Sequence, residues 1–290
     1  MEHTGRSEPT HRRLLTSDGQ RIAAQLLPAA VGPASHDDTV IVVAHGFSGH
    51  LATEQNRRVM RRLSRRLPVV GLDLRGHGRS SGECTLGAQE VHDVAAAVGW
   101  ARTLGFRRVV VIGFSMGAAV VVRYAGLFGG CAGVVAVSGP AYWNYRGTAI
   151  MRWLHFGVEH PVGRTYVRRV MRTRVAPPPW SKPWPMSPTE AAMLIPPTPF
   201  LVVHGRDDLF FPEEHPRGLI RAARNGAEQR DVVGYQPELW LEDFGHAEAS
   251  IPDELLDRIA YWASSLTATA NPPTPRQSGR RPPTDQTSTP

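Results

Sequence analysis

Apolar, β-branched runs bounded by Gly, Pro or Asp recur at residues 39–44, 68–73, 107–113, 132–138, 198–204 and 238–242, and stretches with helical spacing alternate with them. Runs that are apolar at consecutive positions read as strands covered on both faces, because a strand with one wet face would alternate. The stretches 54–66, 89–104, 116–128 and 213–224, with 252–266 after the last strand, repeat their apolar residues at helical spacing. Such alternation closes as a mostly parallel sheet, since each right-handed crossover lays its helix on a sheet face. Residues 14–27 hold two apolar runs around the turn Ser17-Asp18-Gly19, which reads as an antiparallel hairpin opening the sheet. The prediction is an α/β fold with an eight-stranded, mostly parallel sheet and helices on both faces, its core made from residues 14–138 and 196–266.

The alternation breaks at 139–195, where an insertion separates two strands and reads as a helical lid. Within it, 145–156 places Ile150, Trp153 and Leu154 on one helical face, and 162–175 does the same with Tyr166, Val167, Val170 and Met171. After a proline-rich passage at 177–185, Ser187-Pro188-Thr189-Glu190 has the spacing of a capping box with proline at the first helical position, so a third short helix is predicted there. Residues 1–13 are expected to be flexible, and 267–290, rich in Pro, Thr, Ser and Arg, to be a disordered tail.

A formal charge of +7 points to a polyanionic partner only if it is gathered on one face. Most of it lies in 139–195, where seven Arg and Lys182 stand against Glu159 and Glu190, and the tail from 266 adds three Arg against Asp285. No zinc-finger, RNP or helix-turn-helix pattern accompanies it, so no nucleic-acid partner is expected. Arg164, Arg168, Arg169, Arg172 and Arg174 put three arginines four apart on one helical face; this reads as a solvated face, with an anionic substrate or membrane surface as the alternative partner. The first 13 residues lack a signal-peptide apolar region, which makes a cytoplasmic location the expectation. Cys84 and Cys131 have no Cys or His neighbours at zinc spacing, read as small buried side chains, and imply no metal.

Gly113-Phe114-Ser115-Met116-Gly117 follows a strand directly and opens an apolar helix, the setting that a nucleophile elbow needs. A turn that exposes the serine brings backbone against backbone, and side chains at 113 and 117 would clash. A serine hydroxyl is a poor nucleophile at neutral pH and needs a base whose tautomer is fixed by a third group. His204-Gly205-Arg206-Asp207-Asp208 and Phe244-Gly245-His246-Ala247 supply candidates, each after a strand, in the chain order Ser, Asp, His.

With His45-Gly46-Phe47-Ser48-Gly49 after the third strand and Asp73-Leu74-Arg75-Gly76-His77-Gly78-Arg79-Ser80 after the fourth, these motifs make residues 14–266 resemble the α/β-hydrolase superfamily, in particular its esterase, lysophospholipase and aminopeptidase-like members with a helical cap. The resemblance implies Ser115 as nucleophile, His246 as base and Asp208 as its orienting acid, the Gly-x-x-Asp-x-x-x-Pro pattern selecting Asp208 over Asp207. It also implies an oxyanion hole at the backbone N–H groups of Phe47 and Met116. His45, His77 and His204 read as loop-shaping groups, and His155 and His160 as lid residues. The lid aromatics Tyr142, Trp143 and Trp153 are candidates to line an acyl pocket. The expected activity is cleavage of a carboxylic ester on a small-molecule acyl substrate, monoacylglycerol or lysophospholipid among the candidates, with no cofactor. Thioesterase, peptidase and acyltransferase chemistry, and a non-catalytic ligand-binding role, remain as alternatives because fold and triad do not choose the substrate.

Overall fold

The computed structural model describes residues 9–30, 38–178 and 184–266. The expected tail at 267–290 and most of the expected flexible N-terminus lie outside the described residues. One sheet of eight strands runs in the order β1-β2-β4-β3-β5-β6-β7-β8. The hairpin β1 (Thr10–Leu15) and β2 (Arg21–Leu27) joins β4 (Val69–Leu72) antiparallel. From β4 onward, β3 (Thr39–Ala44), β5 (Arg108–Phe114), β6 (Gly133–Val137), β7 (Phe200–Gly205) and β8 (Glu238–Glu242) are parallel to it.

Consecutive apolar residues in these strands supply two cores. Val40 and Val42 of β3, with Val109 and Val111 of β5, pack against α2 (Val91–Thr103), α3 (Met116–Phe128) and α7 (Glu214–Gln229). Ile41, Val43, Val110 and Ile112 face the other way, onto α1 (Glu54–Leu63) and α9 (Asp253–Ser265). After β3 the chain steps to β4 and then back across to β5, so the loops at the C-terminal ends of β3 and β5 diverge. That crevice is where open α/β sheets bind ligands.

The structure departs from the expected boundaries in three places. Thr10–Arg13, expected to be flexible, already belong to β1 and pair with Ala23–Leu26. Thr10 to Arg13 are exposed and polar, so this edge strand carries no apolar signature. Between β6 and β7, α4 (Ala149–Glu159) and α5 (Pro161–Val170) pack on each other, but α5 stops five residues short of the predicted end. Arg172 has φ +52, and the chain then runs back over the core, where Val175 bridges Cys84. The predicted capping box forms at Ser187 and starts α6 (Pro188–Ala192). That helix packs on α3 and α7 within the main core, with Ala191 backbone against Gly126, and not with α4 and α5. Among the described residues no helix is long and apolar enough to cross a membrane.

Candidate active site

Ser115 sits between β5 and α3 with φ 49 and ψ −115, a conformation that non-glycine residues seldom take and that lifts the side chain out of the sheet. The flanking glycines make the turn sterically feasible. A Cβ on Gly113 would overlap the backbone of Gly117, and one on Gly117 would overlap the carbonyl of Ala44. Position 205 is as tight, against the carbonyls of Phe244 and Gly245, which brings the loops after β7 and β8 together.

Those two loops carry Asp208 and His246. The Ser115 hydroxyl donates to His246 Nε2 at 2.8 Å, and His246 Nδ1–H donates to Asp208 Oδ2 at 2.8 Å. Asp208 is buried, and its other oxygen accepts from the N–H groups of Phe210 (2.8 Å) and Phe211 (3.1 Å). The carboxylate is thereby anchored independently of the histidine. Asp207 is exposed and makes only a backbone bond. Phe210 stacks on the His246 ring at 4.1 Å between centroids, which fixes the plane of the imidazole.

The residues expected to shape the β3 loop do so through neutral imidazoles. His45 Nδ1–H donates to Gly46 O (2.7 Å) while its Nε2 accepts from Leu74 N–H (3.0 Å). His77 Nδ1–H donates to Arg75 O (2.9 Å), and its Nε2 accepts from Ser48 N–H (3.3 Å). Burial lowers His45 to about 4 and His77 to about 3. Phe47 and Met116 border the same cavity as Ser115, and among the described residues neither backbone N–H has a partner. Glu248, two residues past His246, carries no signal in the sequence. Its carboxylate accepts from Gly46 N–H at 2.5 Å, and burial raises its affinity for a proton.

Above Ser115 lies a cavity of about 330 Å³ with mostly apolar walls. Tyr142 and Trp143 line it, as expected, and Trp143 is held by donation from its Nε1 to Pro185 O at 2.8 Å. Trp153 does not: it is 73% exposed on the outer side of α4 and packs edge-on against Phe156. Helix α4 presents Met151, Leu154 and His155 to the cavity instead, because that face meets the core. Phe210, Phe211 and Met171 complete the apolar wall, and only the placement of their loops in space marks them. The row of three arginines does not form. Arg164 folds back onto the carbonyls of Val158 and Glu159, Arg172 lies beyond the end of α5, and Arg174 is tied to Gly82 O and Ser80 O.

A family model described as the alpha/beta hydrolase fold matches residues 39–177. No curated protein matches the sequence. Among solved structures, the esterase Pf2001 of Pyrococcus furiosus is 22% identical, with a TM-score of 0.67 over 89% of this chain and 92% of that one. Est1E of Butyrivibrio proteoclasticus, solved with ferulic acid, is 18% identical (TM-score 0.55, 89% of this chain and 98% of that one). XC6422 of Xanthomonas campestris, a serine hydrolase without a lid, is also 18% identical (TM-score 0.55, 92% and 98%). Strand order, the placement of the glycine-flanked serine and these similarities agree: the chain has the α/β-hydrolase fold, and residues 39–177 match that family's model.

Proposed function

We propose that this protein is a serine hydrolase that cleaves a carboxylic ester through an acyl-enzyme on Ser115. The observation that carries the reading is the unbroken line of hydrogen bonds from Ser115 through His246 to buried Asp208, opening into an apolar cavity. His246 takes the Ser115 proton as Oγ attacks the ester carbonyl, and Asp208 stabilises the imidazolium without accepting its proton. The N–H groups of Phe47 and Met116 hold the oxyanion, each donor contributing roughly 3 kcal/mol to the transition state. His246 then protonates the leaving alcohol and activates water for deacylation. Helices α4 and α5 act as the lid, and the apolar wall that α4 and Met171 share with Phe210 and Phe211 favours an aliphatic or aromatic acyl group, a monoacylglycerol or lysophospholipid being of suitable character.

Labelling with a fluorophosphonate, read by intact mass, tests the reading. One adduct on the parent protein and none on Ser115→Ala is expected; a folded parent that does not label would overturn it in favour of ligand binding without catalysis. Product analysis with an added alcohol separates hydrolysis from acyl transfer.

Glu248 supplies a second test, since its bond to Gly46 N–H ties the loop of Phe47 to the loop of His246. Glu248→Ala is expected to lower kcat by about 10- to 100-fold with little change in KM, the cost of an oxyanion donor displaced by a fraction of an ångström. Glu248→Gln keeps an acceptor and should stay near the parent value. Steady-state kinetics on a water-soluble ester reads both, and equal losses in the two variants would assign Glu248 a different role.

A further inference from the structure

We propose that a cleft beside the β3 loop, separate from the cavity over Ser115, is a binding site for a phosphate or pyrophosphate group of a small ligand. The cleft has a volume of about 600 Å³ and draws its walls from β1, the β3 loop, α1, the β4 loop and the segment after α5. Arg12, Arg13, Arg57, Arg79 and Arg172 border it, with His11 and His50. Apart from the adjacent Arg12 and Arg13, these positions are far apart in the sequence.

Among the described residues none of these five arginines forms an ion pair, and the only acid bordering the cleft is Asp73. Asp73 opposes one of the five charges at most. It is buried, and its two oxygens accept from Leu51 N–H (2.6 Å) and Arg79 N–H (2.8 Å). Some arginines elsewhere are paired, as Arg58 and Arg62 are with Asp253 and Asp257, so what sets this group apart is that the five share one concave surface. Five arginines lining one concavity against a single carboxylate leave it net positive, with one guanidinium, that of Arg13, donating to Arg79 O, and the guanidinium fork matches phosphate oxygens two at a time.

The position of the cleft relates it to the proposed active site. Gly46, Phe47 and Ser48 line the cavity over Ser115, while His50, Leu51 and Ala52 line the cleft. Ser48 and His50 are two residues apart, so no more than about 7 Å of chain separates the two walls. A molecule carrying both an acyl group and a phosphate can lie across this loop, an extension that rests on the hydrolase reading; occupancy of the cleft by phosphate does not.

Isothermal calorimetry of the full chain with pyrophosphate at low ionic strength tests the site. Saturable binding is expected, weakened about tenfold or more in Arg57→Gln/Arg79→Gln. Arg168→Gln/Arg169→Gln removes the same charge from the exposed face of α5 and should leave binding unchanged. Ser115→Ala should bind as the parent does, so loss of the hydrolase reading would leave this result standing. Sedimentation with phosphatidylglycerol vesicles, against phosphatidylcholine, separates the sources: pyrophosphate binding alone identifies a soluble phosphate ester, and vesicle binding that Arg57→Gln/Arg79→Gln abolishes identifies a lipid headgroup. No binding in either arm, or equal losses in the two double variants, would overturn the proposal.

Discussion

Replacing Ser115 with alanine is expected to lower turnover of a neutral ester by roughly 10⁴- to 10⁶-fold, and His246→Ala to do the same. In the proposed mechanism the two act as a unit, because the hydroxyl is a nucleophile only while it donates to His246 Nε2. The double variant should therefore be no worse than either single one. Asp208→Asn is expected to cost about 10⁴-fold, since an amide can turn its NH₂ toward the imidazole and favour the wrong tautomer. Asp207→Asn is the matched control: Asp207 is exposed and has no side-chain contact with His246, and it should keep parent activity. Measurement of kcat/KM for a p-nitrophenyl ester near pH 7 decides the matter. Retention of a tenth of the parent rate by Ser115→Ala would move the chemistry elsewhere, and a large loss in Asp207→Asn with little in Asp208→Asn would reverse the choice of acid.

The central fold is legible because its signal is local. The strands from β3 to β7 are buried on both faces, so their apolar runs stand out, and glycine or proline punctuates most of their ends. Edge strand β1 is legible only in part, because solvent-exposed Thr10 to Arg13 are held by pairing to β2 and not by burial. The end of α5 escapes the sequence for a related reason. Apolar spacing continues through Met171 to Val175, but those residues reach the core as an extended segment laid against Cys84.

The hydrogen-bonded set Ser115, His246 and Asp208 is legible because each member follows a strand and has a glycine nearby. The rest of the site is not. Trp153 and Leu154 are neighbours in sequence, yet one faces solvent and the other the cavity; the helical phase is set by which face of α4 meets the core. Glu248 becomes visible only once β3 and β8 are brought to the same end of the sheet, 202 residues apart along the chain from its partner Gly46. The basic cleft is the extreme case. Sequence accounting places most of the positive charge in 139–195, whereas the cleft takes only Arg172 from that segment and its other arginines from β1, α1 and the β4 loop.

Acidification from pH 6.5 toward 4.5 is expected to destabilise the fold by several kcal/mol, before most carboxylates titrate. His45, His77 and His215 are buried, and burial lowers them to about 4, 3 and 4 respectively; His204 is lowered by the same cause. The geometry gives a second reason. Leu74 N–H donates to His45, Ser48 N–H to His77 and Ala141 N–H to His215, so protonating any of these acceptor nitrogens breaks a hydrogen bond inside the core. Below about 6.5 the unfolded chain binds protons that the native state refuses, so stability rises with pH across this window and falls as pH drops. Two pH units below the unfolded value, each such histidine contributes about 2–3 kcal/mol of loss, against a total stability of about 5–15 kcal/mol. Asp18 works in a lower range. Despite partial burial, hydrogen bonds from Arg75 and Thr16 hold it at about 2, so its contribution persists until pH falls from about 4 toward 2. Urea unfolding at pH 7, 6, 5 and 4.5 should show midpoints falling from the first step below 6.5 with an unchanged slope. A flat profile from 7 to 4.5 would mean that these histidines take protons without unfolding. Because His45 and His77 brace the β3 loop, and His204 lies 3.8 Å from Asp208, fluorophosphonate labelling of Ser115 should decline in the same pH window and recover on return to pH 7.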